Sequence, residues 1–173
     1  MITKFFPTNH SPLATTYSFT MSLFSFFKKK DFFNSAEKQR VVNAIQQAEK
    51  QTSGELRVYM ESRCRFVDPL DRAAEVFAAL KMDATAERNA VLVYVAMKDR
   101  QLALFGDKGV HEKVGDAFWN EKVKIILSHF GKENYADGLV RIIGELGQAL
   151  KNNFPYNGDT DKNELPDDIV FGR

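Results

Sequence analysis

The sequence predicts an α/β fold: a small mixed β-sheet sandwiched between helices. Three observations carry this expectation. Segments with the 3.6-residue period of an amphipathic helix alternate with short apolar or alternating runs. The valine-rich run Ala90 to Ala96 has the composition of a strand covered on both faces. Helix-start signals stand at Asn34 and Asp68, ahead of two of the periodic segments. The predicted order is helix, strand, helix, strand, strand, helix, helix. A strand–helix–strand unit from Glu55 to Ala96 makes two parallel strands, and a hairpin adds an antiparallel edge.

Asn34, followed three residues later by Glu37, forms a capping-box pattern, in which a side-chain oxygen and a carboxylate satisfy orphan amides at a helix start. Val41, Val42, Ile45 and Ala48 then recur on one face until Thr52, Ser53 and Gly54 end the helix. From Glu55 to Glu61 the chain alternates, Leu56, Val58 and Met60 against Arg57, Tyr59 and Glu61, which predicts a half-exposed strand. Asp68 and Pro69 open a second helix, because proline suits the first helical position. Its expected buried stripe is Leu70, Ala73, Ala74, Phe77 and Leu80. After the Ala90–Ala96 strand, Met97 to Arg100 turn the chain into Gln101 to Phe105, and Gly106 to Gly109 end the hairpin. Trp119, Val123, Ile126, Leu127 and Phe130 mark a third helix, with Gly131 expected as its left-handed terminator. A fourth starts at Asn134, and its Gly138, Gly144 and Gly147 allow close backbone approach.

Domain organisation follows from composition. Residues 1–33 read as a flexible arm, 34–154 as the α/β domain and 155–173 as an irregular acidic tail. The arm is rich in Ser and Thr with Pro7 and Pro12, and a second methionine, Met21, is an alternative start of translation. Its charge-free stretch carries too many prolines and hydroxyls for a membrane span, and it lacks the pattern of a secretory signal. Phe24, Phe26 and Phe27 beside Lys28, Lys29 and Lys30 could rest on an anionic membrane surface, although a disordered or docking arm is the favoured reading.

With 173 residues, a net charge of +1 and acids and bases interspersed, the chain lacks the basic footprint of a nucleic-acid binder. One cysteine, Cys64, can close no intrachain disulfide, which points to a reducing cytoplasm. Three dispersed histidines give no zinc pair, and no nucleophile elbow is present. Arg63 and Arg65 would lower the Cys64 thiol pKa if all three were exposed; an ordinary cysteine is the expectation. Asp159, Asp161 and Asn163 have the spacing that begins a calcium loop, but Glu164 stands where glycine is needed and Val170 where the closing glutamate belongs.

Three features remain as candidate sites. The GDKG turn, Gly106 to Gly109, could form an anion-binding nest, though such a turn more often only reverses the chain. At the carboxyl ends of the parallel strands stand Glu61, Ser62, Asp99 and Arg100, where open α/β sheets place ligands. At the other end stand Glu55, Arg88, Asn89 and Asp107, adequate in kind for a phosphate or a cation, though charged residues at strand ends are also simply solvated.

The segments SGELRVYMES, ERNAVLVYVAMKDRQLALFGDKGV, VGDAFW and FPYNGDTDKNELPDDIVFG, in that order, resemble the short bacterial branch of the TPM-domain family across Asn34 to Gly172. The resemblance implies an α/β/α sandwich. It also implies two functional expectations: a ligand- or partner-binding module beside a membrane complex, or a weak acid phosphatase dependent on calcium or magnesium. Longer relatives carry DNG before the central strand, then a DR turn and a glycine pair. The matching positions here are Arg88, Asn89 and Ala90, then Asp99 and Arg100, then Gly106 and Gly109. Under the phosphatase reading Asp99, Asp107 or Glu55 would hold the cation, and Arg88 or Arg100 would clamp the ester. Arginine in place of the family's acid would repel a cation and suits an anionic ligand instead.

Overall fold

The computed structural model describes residues 2–5, 32–156, 158 and 168–172. The stretch Phe24, Phe26, Phe27, Lys28, Lys29 and Lys30, the start at Met21 and the tail residues Asp159, Asp161, Asn163 and Glu164 lie outside the described residues.

The first helix, α1 (Ser35–Glu49), begins on the expected capping box: Glu37 N donates to Asn34 Oδ1 and Asn34 N to Glu37 Oε2, each at 2.9 Å. Such caps contribute about 1 kcal/mol. In α2 (Pro69–Ala79), Leu70 N donates to the Asp68 carboxylate and Pro69 occupies the first turn. Strand β2 (Leu56–Glu61) pairs parallel with β3 (Val91–Ala96), and β3 pairs antiparallel with β4 (Gln101–Gly106) through the turn at Met97 to Arg100.

The sheet has two further strands that composition did not announce. Ile2–Phe5 (β1) runs antiparallel to β4, and Ile169–Phe171 (β5) runs parallel to β2, giving the order β1-β4-β3-β2-β5. The hairpin is therefore interior to the sheet and not its edge. Likewise the tail is not irregular throughout, and Val170 sits in β5. Three-residue β5 is too short for a periodic signal, and its stability comes from the β2 edge it covers.

One apolar layer lies between the sheet and α1, α3 (Lys108–Phe130) and α4 (Tyr135–Asn153), with Ile45, Leu56, Val93, Trp119 and Leu139 fully buried. The second lies under α2, with Ala73, Phe77, Leu92, Tyr94 and Ala103. Helices thus cover both faces, as the α/β/α expectation requires. Because of this, β2 is not half-exposed: every residue but Tyr59 is buried, Arg57 and Glu61 included. In α2 the stripe includes Val76, while Ala74 is only half-buried.

Two helix details also differ from expectation. Gly131 closes α3 in right-handed geometry (φ −63°), and the left-handed residue is Glu133 (φ 61°). Within α3 the chain breaks at Gly115, whose φ of 70° and ψ of 176° are open essentially to glycine alone. Among the described residues, no helix is long and apolar enough to cross a membrane.

Candidate functional site

At the amino ends of β2 and β3, Glu55, Asn89 and Asp107 are all buried, and Arg88 reaches in from the surface. Asp107 caps α3 and is held on both oxygens. Arg88 Nε donates to Oδ2 at 2.7 Å and Nη2 to Oδ1 at 2.9 Å, and Lys108 N donates to Oδ1 at 2.7 Å. These hydrogen bonds and the adjoining charge raise the Arg88 pKa above its ordinary value. Asn89 ties β3 to the α1–β2 connection: its Nδ2 donates to Ser53 O at 3.0 Å and its backbone N to Thr85 Oγ1 at 3.2 Å. Glu55 contributes its carbonyl to Val91 N at 2.7 Å.

The GDKG turn is not an anion nest. Asp107 N donates to Ala90 O, Lys108 N to Asp107 itself and Gly109 N to Arg88 O, so the amides at the turn already have protein acceptors. Its glycines serve packing. A Cβ at Gly106 would overlap the Trp119 ring, and one at Gly109 would run into the carbonyl oxygens of Glu87 and Arg88.

At the carboxyl ends of the parallel strands, Glu61 is buried and anchors a network the sequence reading did not assemble. Arg72 of α2 donates Nε and Nη2 to its two oxygens at 3.0 and 3.1 Å, and the Tyr94 hydroxyl donates to Oε1 at 2.5 Å. Arg72 is correspondingly pushed up by its hydrogen bond to Glu61, and Tyr94 is pushed up by burial and by its hydroxyl's partners Cys64 and Glu61. Asp99 holds the neighbouring loop: it accepts from Cys64 N at 2.8 Å and from Arg63 Nη1 at 3.2 Å. Arg100 occupies the same turn with φ 55°, and Ser62 contributes its carbonyl to Lys98 N at 2.8 Å. Cys64 is buried, and burial raises its thiol pKa; the activation its flanking arginines suggested does not occur.

The candidates therefore divide into two places. Asp99 precedes β4 and Asp107 follows it, so its six residues separate them by roughly 20 Å. Glu55 and Asp107 share one end, Asp99 and Arg100 the other. Among the described residues, no group of three or more His, Cys, Asp or Glu side chains is placed to hold a metal ion. The donor set expected for calcium or magnesium, Asp99 with Asp107 and Glu55, does not fit one cation. Both of its aspartates are already hydrogen-bonded by arginine and backbone donors.

Sequence reasoning missed Arg72 and Tyr94 because each lies in a different element from Glu61. The one available signal was charge in a strand covered by a helix, since a buried carboxylate requires donors. A surface groove of ≈ 270 Å³ also runs between α1 and α4, lined in part by Ala44, Ala48, Val140, Gly144 and Lys151. None of the candidate polar residues lines it.

Comparison with known proteins agrees with this architecture. A family model described as "TPM domain" matches residues 27–149. The BA42 protein of the psychrophilic bacterium Bizionia argentinensis is 41% identical, with a TM-score of 0.77, over 85% of this chain and 100% of that one. The N-terminal domain of the cg2496 protein of Corynebacterium glutamicum is 13% identical, with a TM-score of 0.57, over 86% of this chain and 97% of that one, a likeness of fold alone. No curated protein matches. The family match spans most of the α/β domain, and the 41% identity to BA42 extends over most of the chain, so the chain belongs to the TPM domain family.

Proposed function

We propose that this TPM domain is a non-catalytic module that binds a protein partner or a small anionic ligand, working in the cytoplasm beside a membrane complex. One observation carries the reading: Asp107 spends both carboxylate oxygens on Arg88, while Asp99, at the far end of the sheet, is spent on Cys64 N and Arg63. A hydrolase would need those carboxylates converging on one cation to neutralise phosphoryl oxygens and activate water. Arg88 stands where longer relatives carry an acid, and its side chain is half exposed at 52%, which favours an anionic contact over a cation.

The test is turnover of a generic phosphomonoester by the purified protein with magnesium, calcium or manganese, with chelator, and in Asp107→Asn, each protein checked for folding by thermal melt. Turnover at the buffer level in all samples is expected. Metal-dependent turnover that chelation and Asp107→Asn both abolish, in a variant that still melts cooperatively, would establish the competing acid phosphatase and overturn this proposal.

A further inference from the structure

The connection from β2 to α2 presents an aromatic side chain in a way the fold does not require. Phe66 is fully exposed, Val67 is 39% exposed and Arg65 is exposed between them and Cys64. Phe66 also has φ 66°, left-handed geometry that is disfavoured for a residue with a Cβ. Glycine would sit there without that penalty. The ends of the loop are pinned. Cys64 is buried with its N–H on Asp99 and its thiol donating to Val67 O at 3.5 Å, and Pro69 is buried at the start of α2. Between these two fixed ends the chain bends at Phe66 and Val67, and the fully exposed Phe66 side chain points outward.

Around this tip four cations stand against three acids, with Arg63 paired to Asp99. Arg63 (47% exposed), Arg65 and Lys98 are at the surface of this end of the sheet, and Arg100 lies in the adjacent turn. The acids there are Asp99, spent on Cys64 N and Arg63, Asp68, which caps α2, and Asp71 in the first turn of that helix.

We propose that the loop Arg63–Val67 is a contact for an anionic phospholipid surface, with Phe66 and Val67 entering the interface and Arg63, Arg65 and Lys98 facing lipid phosphates. Two features select a bilayer over an acidic protein pocket. The apolar part is a lone projecting knob, which a fluid interface accepts without shape complementarity. The exposed Arg65 directly precedes it in sequence, and a basic group beside an apolar one suits an anionic lipid surface. Such a contact is weak alone and acts with a second anchor or partner. It stands whether or not the chain turns over a phosphomonoester.

The experiment is co-sedimentation of the full chain with vesicles of phosphatidylcholine alone and of phosphatidylcholine with phosphatidylglycerol, at low and high salt. Wild type should bind the anionic vesicles, bind neutral ones at least severalfold less, and release as salt rises. Phe66→Gly should weaken binding about tenfold, the loss expected for one large apolar side chain, while its thermal midpoint is unchanged or raised. Arg65→Gln should weaken binding severalfold. A control with Lys28, Lys29 and Lys30 changed to glutamine separates the arm from the loop. Anionic-vesicle binding that survives Phe66→Gly undiminished would overturn the proposal. So would equal binding to neutral vesicles, or no vesicle binding at all, the last leaving an acidic protein as the loop's partner.

Discussion

The indole N–H of Trp119 donates to Nδ1 of His111 at 3.2 Å, across the break that Gly115 makes in α3. Trp119 is fully buried, so His111 is the acceptor that satisfies its polar atom. The bond also ties the two halves of the interrupted helix together. His111→Ala should therefore cost about 1–3 kcal/mol, the usual penalty for a buried donor left without its partner. His111→Gln, whose amide oxygen can accept, should recover part of that loss. Because Trp119 is the chain's single tryptophan, its fluorescence in urea titrations reports the same site. Equal stability of wild type and His111→Ala would show that the bond contributes nothing.

The glycines of α4 should separate cleanly by what they face. A Cβ at Gly147 would lie 2.6 Å from Ala48 Cβ, so Gly147→Ala must push α1 away from α4 and should destabilise by about 1–3 kcal/mol. At Gly144 nothing lies within 4 Å, and Gly144→Ala should instead stabilise by about 0.5–1 kcal/mol through helix propensity. Paired thermal melts check both signs. A Gly144→Ala variant that melts lower would mean the groove beside it matters to the fold.

How far the sequence discloses this protein depends on whether the signal is local. Asn34 with Glu37, and Asp68 with Pro69, mark helix starts through contacts within one turn, and both stand where the spacing predicts them. Val91 to Ala96 is legible as a buried strand because an all-apolar run has few alternatives. Strands β1 and β5 are not legible, since each is held by the edge of a strand distant in sequence. The same limit applies to the sites. The Arg88–Asp107 pair is not legible, because nothing local shows that Asp107 folds back onto Arg88. Glu61 was noticed, but its partners Arg72 and Tyr94 come from the next two elements.

Cys64 should be chemically quiet in the folded protein. Burial raises its thiol pKa, and nearby Glu61 and Asp99 add to that against the opposing effects of Tyr94 and Arg72. Since the thiolate is the nucleophile, a raised pKa and poor access both slow alkylation. At neutral pH, native protein should react with a thiol reagent at least about tenfold more slowly than the same protein in denaturant. Equal rates would mean that the loop from Cys64 to Val67 opens freely, and that Phe66 is not presented by a pinned turn.

Lys122 joins α3 to α4 at a site where pH dependence can be signed. Its side chain is 9% exposed, and its Nζ donates to Glu121 and Glu145, each at 3.0 Å, while Arg141 also reaches Glu145 at 2.7 Å. Burial disfavours the ammonium, but the two carboxylates outweigh that and leave the Lys122 pKa raised. Glu145 is lowered, chiefly by its hydrogen bond from Lys122. A carboxylate lowered on folding contributes stability that is present above its unfolded pKa and lost as pH falls through the folded value. A raised lysine contributes stability present below its unfolded pKa and lost as pH rises through the folded one. Stability should therefore decline on both limbs. Glu145→Gln should flatten the acid limb below the ordinary glutamate value of about 4.3. Lys122→Met, which is similar in length but removes the charge and with it the ammonium's contact on the Phe118 ring, should flatten both limbs. Urea midpoints measured across pH for wild type and the two variants decide it. An acid limb unchanged in Glu145→Gln would show that the Lys122–Glu145 contact does not set the acid sensitivity.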